Sequence, residues 1–150
     1  MLLADRDVEA QVEGWRRLAI LHTRIAARLE RALQDDVELS VSEYGVLDLL
    51  SRQQDYHLRM GQLATTMAMS HAAITRLVTR LEDRGLLTRC LCPDDRRGIY
   101  SEVTSDGFAL LQRARPTHDA TLSTALLEAA HTPGMTHLIE AIRAPAALPF

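Results

Sequence analysis

From Val8 to Leu33 the chain carries an unbroken apolar stripe. Val8, Val12, Trp15, Leu18, Leu21, Ile25, Leu29 and Leu33 recur at steps of three or four, with no proline among them. That is the period of one face of an α-helix. Gly14 is a small blemish in it, since glycine costs about 1 kcal/mol against alanine in a helix interior. At 1.5 Å per residue the helix over 8–33 is roughly 39 Å long, more than one small lobe can cover. Such a helix needs apolar company along its whole length.

The rest of the chain supplies more helices and one hairpin. Ser40-Val41-Ser42-Glu43 has capping-box spacing, so the next helix starts there and carries Tyr44, Val46, Leu47 and Leu50. After a polar loop, Leu58 suits a very short strand. Met60 to Met67 reads as a short helix, and Ala68-Met69 as a turn. Ser70 caps a helix that runs to Arg84 and stops at Gly85, with Ile74, Leu77, Val78 and Leu81 as its buried stripe. Leu86 to Leu91 turns β-like, residues 93–98 are turn chemistry, and Ile99 to Thr104 is a return strand. A second long helix starts at Ser105-Asp106-Gly107 and runs to about Ala130, with Pro116 inside it. Thr132 is placed to cap a last helix with Pro133 in its first position. The fold class expected is therefore mainly α with a small β-hairpin wing, a winged helix-turn-helix. Its 150 residues suit one domain spanning 1–150. Helical parts at about 8–33 and 105–143 flank a winged helix-turn-helix at about 40–104.

Charge is distributed along this plan. Every one of the 17 basic residues is arginine and the net charge is −3. Residues 57–115 hold 9 Arg against 6 Asp and Glu, whereas 1–56 hold 7 against 11. The winged segment is thus locally basic on an acidic chain, and nucleic-acid affinity follows the local field rather than the total. A helix that enters the major groove reads base edges with its N-terminal side chains, and an arginine-tipped hairpin suits the minor groove.

At these residues the chain resembles the MarR family of bacterial transcriptional regulators. Leu39 to Tyr44 is similar to the start of the family's second helix, and Leu63-Ala64 with Ser70 to Leu87 to its helix-turn-helix. Asp95 to Thr104 resembles the wing signature Asp-x-Arg, five residues, Leu-Thr, with Val103 in place of the leucine. Ala114 to His118 resembles the kinked dimerisation helix. The resemblance implies a homodimer in which first and last helices interlock, a pseudo-palindromic double-stranded DNA operator, and a repressor whose affinity answers to a small aromatic effector. It implies Ser70, His71, Ala72 and Thr75 at the groove-facing start of the recognition helix, with Arg76 and Arg80 on bases or phosphates. It also implies Arg97, supported by Arg96, in the minor groove, with Asp95 steadying the wing. For the effector pocket, Trp15, His22 and the helix of Leu47 are the residues to examine.

Other readings stay beside these. Arg76, Arg80 and Arg84 at steps of four are also what a solvated helix face looks like, and Arg84 has Glu82, Asp83 or a wing carboxylate as expected partners. Cys90 and Cys92 share a strand face, so a thiol switch is one reading and two inert reduced thiols the plainer one. The six histidines show no metal-ligand spacing, and there is no nucleophile elbow or phosphate-cradling glycine loop, so neither an enzyme nor a cofactor is expected. A winged-helix docking module that never meets DNA is the rival function. No apolar run approaches the ~20 residues of a membrane span, and the N-terminus turns charged too soon for a signal peptide, so a cytoplasmic protein is expected.

Overall fold

A computed structural model of the chain describes the backbone of residues 2–92 and 95–144, and the side chains of 6–91 and 98–144. The elements run α1 (Leu2–Val37), α2 (Val41–Ser51), β1 (His57–Arg59), α3 (Met60–Thr66), α4 (His71–Asp83), β2 (Leu87–Cys92), β3 (Asp95–Val103), α5 (Ser105–Ala130) and α6 (Thr136–Arg143). They form two compact units: residues 33–117, and residues 1–32 together with 118–150. The expected elements are all present, but three boundaries move.

The first helix runs from Leu2 to Val37, beyond the apolar stripe at both ends, because nothing between Arg6 and Asp36 forbids it and propensity carries it on. The return strand begins at Asp95 rather than Ile99. Cys92 pairs with Asp95 while Leu91 pairs with Ile99, so the expected turn over 93–98 is partly consumed by a register shift in the ladder. The last helix starts at Thr136, not at Pro133. Thr132 accepts a hydrogen bond from Met135 N–H at 3.0 Å, and Gly134 between them has φ +81. Proline followed by a left-handed glycine is turn chemistry of type II, which ends the expected cap before a helix can start.

The 33–117 unit has a continuous core. Leu33, Leu39, Val46, Leu47, Leu50, Leu63, Ile74, Leu77, Val78, Leu81 and Leu111 are fully or almost fully buried in one cluster. Its three-stranded sheet has the order β1-β3-β2, both pairs antiparallel, with Leu58 opposite Ser101 and Leu87 opposite Val103. Buried Ser101 donates its hydroxyl hydrogen to the Met60 sulfur at 3.0 Å, tying β3 to α3. Asp48 of α2 accepts from Arg52 at 2.8 Å and from Arg115 of α5 at 3.2 Å, and Arg115 also donates to the Ser51 hydroxyl.

The junction from α4 through β2 to α5 depends on close backbone approach. Gly85 has φ +72, its N–H bonds to the Glu82 carbonyl at 2.8 Å, and the Leu86 N–H bonds to the Leu81 carbonyl at 2.9 Å. These are the paired bonds of a Schellman stop, and Leu81 and Leu86 are buried together beneath it. The Thr104 hydroxyl donates to the Gly85 carbonyl and accepts from Gly107 N–H, so Thr104 caps α5. A methyl group at Gly107 would fall on the Leu86 carbonyl oxygen, which is why glycine is needed at this contact.

In the other unit a small cluster of Leu126, Met135 and Ile139 is backed by half-buried Leu21, Ile25, Leu122 and Leu138. Arg28 of α1 and Glu128 of α5 form an ion pair across it. Val8, Val12, Trp15, Leu18 and Ile20 of the same helix are exposed, Trp15 to 70%.

Candidate nucleic-acid interface

The α3–turn–α4 segment is assembled from buried positions outward. Leu63 and Ala64 of α3 and Ile74, Leu77, Val78 and Leu81 of α4 face the core. The turn between them closes with Ala68 N–H on the Thr65 carbonyl and Met69 N–H on the Ala64 carbonyl, and Ala68 is left-handed at φ 51. Ser70 then caps α4, its hydroxyl accepting from Ala73 N–H at 3.1 Å. Because the apolar stripe of α4 is buried, the helical period forces His71, Ala72, Arg76, Thr79 and Arg80 to the outside, and all five are exposed. Thr75 is half-buried and donates its hydroxyl hydrogen to the His71 carbonyl at 2.8 Å.

The arginines of this face are not equivalent. Arg76 makes no ion pair or hydrogen bond among the described residues. Arg80 lies 3.5 Å from a carboxylate oxygen of Glu43, at the start of α2, and Arg84 lies 3.4 Å from the other oxygen. Arg84 was expected to find Glu82, Asp83 or a wing carboxylate. Glu43 takes it instead, because the box at Ser40 holds that carboxylate beside the end of α4, its Oε2 accepting the Ser40 N–H at 2.9 Å. Glu82 pairs with Arg89 of β2 at 3.3 Å, and Arg89 also donates to the Thr79 hydroxyl at 2.8 Å. Arg89 therefore braces the base of the hairpin against α4.

The side chains of Asp95, Arg96, Arg97 and Cys92 lie outside the described residues; the backbone of 95–97 is in β3. Cys90 is half-buried opposite Tyr100. Leu91 and Ile99, cross-strand neighbours in the hairpin, are both exposed. Of the three effector-pocket residues, Trp15 and His22 are exposed on α1, and Leu47 is sealed in the core of the 33–117 unit.

Two features escaped the sequence reading. Glu43 was legible as a capping residue, but its contacts with Arg80 and Arg84 span about 40 residues and have no local signal. The second is a groove of about 690 Å³ along α1, α5 and the turn before α6, with Arg17, Arg24, Arg28 and Arg31 on its wall and Ile20, Leu21, Ala125 and Met135 beneath. The steps of seven, four and three between those arginines put them on one helix face, and that pattern was there to be found. Among the described residues no group of three or more His, Cys, Asp or Glu is placed to hold a metal ion. No described helix is long and apolar enough to cross a membrane.

Comparison with known proteins agrees with this geometry. The MarR family model matches residues 37–98. The regulator MhqR of Bacillus subtilis is 30% identical over 103 residues, 64% of this chain and 70% of its own length. The matched segment spans about three-fifths of further curated relatives. Sco3205 of Streptomyces coelicolor, a MarR family transcriptional regulator solved in complex with DNA, superimposes with a TM-score of 0.76 at 30% identity, covering 90% of this chain and 83% of that one. CouR of Rhodococcus jostii, solved bound to p-coumaroyl-CoA, gives a TM-score of 0.65 at 26% identity, covering 88% and 92%. With a matching helix-turn-helix, wing and flanking helices, the chain belongs to the MarR family of transcriptional regulators.

Proposed function

We propose that this regulator is a homodimeric repressor that binds a pseudo-palindromic operator and releases it when a small molecule binds. The observation that carries the DNA reading is the outer face of α4. A core-locked helix presents His71, Ala72, Arg76 and Arg80 together, with Ser70 at its N-cap, in the order a recognition helix needs. In this reading Ser70, His71, Ala72 and Thr75 approach base edges, while Arg76 and Arg80 take bases or phosphates. Arg97, with Arg96 beside it and Asp95 steadying the wing, enters the minor groove.

The dimer reading is supported by the apolar stripe Val8, Val12 and Trp15, which is exposed in a single chain. A stripe of this size on a long helix is an unfinished core. The chain then works as one domain over 1–150, with the helical parts at 8–33 and 105–143 joining two copies. Two-fold symmetry sets the half-sites about one helical turn apart, ~34–36 Å. The effector reading draws on similarity to CouR, whose structure holds an aromatic acyl thioester. Its energetic requirement is that the ligand favour one spacing of the two recognition helices over another.

The rival reading, a docking module for another protein, has one specific support: the exposed Leu91–Ile99 pair on the hairpin. A mobility-shift titration of the purified protein against its own upstream region separates the two. The DNA reading expects tight, salt-sensitive binding that Arg97→Ala weakens about tenfold, roughly 1.4 kcal/mol, as an arginine drawn by the enhanced negative potential of a narrow minor groove is lost. Should the upstream region and a genome-wide fragment selection both yield nothing above nonspecific binding, the docking reading replaces it.

A further inference from the structure

We propose that Glu43 is a positioning residue for DNA recognition, acting through Arg80 to widen the margin between specific and nonspecific binding. This rests on the DNA reading above. Glu43 is 7% exposed, and both its oxygens are engaged. Oε2 accepts the Ser40 N–H at 2.9 Å and faces Arg84 at 3.4 Å; Oε1 faces the Nε of Arg80 at 3.5 Å. The capping box alone does not require a charge, because glutamine closes the same box. The charge has its consequence at the two arginines.

The Arg80 side chain is 57% exposed, and its pairing with Glu43 is made through Nε. Its terminal nitrogens, which carry four of the five guanidinium N–H donors, are left for a further partner. A phosphate or base that recruits Arg80 competes with a fixed internal carboxylate. A well-seated operator group, bonded in good geometry, wins that competition. A loosely placed phosphate on random DNA gains less, since the Glu43 charge, shared with Arg84, offsets part of the attraction of Arg80. Glu43 thereby lowers the general affinity of the recognition face for polyanions while holding the guanidinium in place for the right contact.

The test uses the full-length protein with Glu43→Gln, Arg80→Ala and the double variant, on operator and random duplexes across a salt series, with thermal unfolding followed in parallel. Glu43→Gln is expected to tighten random-duplex binding and steepen its log–log salt slope by about 0.9, the effect of one additional phosphate contact. The operator-to-random affinity ratio is expected to fall severalfold, and none of these changes should appear when Arg80 is alanine. Wild-type slope and ratio in Glu43→Gln, or the same shifts in the absence of Arg80, overturn the proposal and leave the DNA reading intact. Wild-type protein that binds no duplex at any salt overturns both. Should Glu43→Gln fail to fold, Arg80→Gln decides from the other side. A loss on operator with an unchanged random-duplex salt slope supports the proposal; a random-duplex slope flattened by about 0.9 overturns it, because Arg80 then already holds a phosphate on random DNA despite Glu43.

Discussion

The two units of this chain solve burial differently. In the 33–117 unit, apolar residues from α2, α3, α4 and the ends of the long helices meet in one core, and Leu47, Leu63, Ile74 and Leu81 have no exposed surface. In the unit of 1–32 and 118–150, the buried apolar residues among those described are Leu29, Ala125, Leu126, Met135 and Ile139, while Val8, Val12 and Trp15 stand in solvent. The same kind of helix-period apolar stripe is complete in one place and open in the other. A helix face records that a residue belongs against something apolar; it does not record whether that surface comes from the same chain.

The largest expected effect breaks the comparison on the closed side. Leu47→Ala should cost about 2–5 kcal/mol in denaturant unfolding, because a fully buried leucine leaves a cavity when truncated. A loss under about 1 kcal/mol would mean that this core is looser than its burial indicates. The open side is expected to respond in another currency. Trp15→Glu should leave the unfolding of dilute protein nearly unchanged but raise the dimer dissociation constant at least tenfold, about 1.4 kcal/mol, as read by sedimentation across concentration. An unaltered dissociation constant would remove this stripe from the dimer reading. The smallest effect lies in the turn before α4. Ala68 holds a left-handed conformation that costs an L-residue roughly 1–2 kcal/mol. Glycine there loses part of that advantage to unfolded-state entropy. Ala68→Gly should stabilise the winged unit by about 0.5–1 kcal/mol without moving the dimer constant, and destabilisation would show that the Ala68 methyl packs usefully.

Much of the closed unit was legible because its determinants are local. The Ser40–Glu43 box, the Ser70 cap, the stop at Gly85 and the four-residue stripe of α4 each lie within one helix or turn, and each is present where the pattern placed it. Where element boundaries depart from the apolar and capping patterns, the causes are local. Pro133-Gly134 served as turn residues rather than as a helix start. The hairpin ladder shifted register at Leu91–Cys92 and drew Asp95 into a strand. The candidate DNA face was legible as to which residues point outward, since burying Ile74, Leu77, Val78 and Leu81 fixes the opposite face by geometry.

What the sequence determined by itself is the inventory: which segments are helical, where they are capped, and which face of each is apolar. Those follow from backbone hydrogen bonding and side-chain period, interactions reaching at most a few residues along the chain. Only the tertiary structure decided the pairings among distant groups. Glu43 meets Arg80 and Arg84, Arg115 reaches Asp48, and the Gly107 backbone presses on Leu86. Such contacts depend on how the helices pack once their apolar faces are buried, and no spacing along the chain encodes which charged groups that packing will bring together.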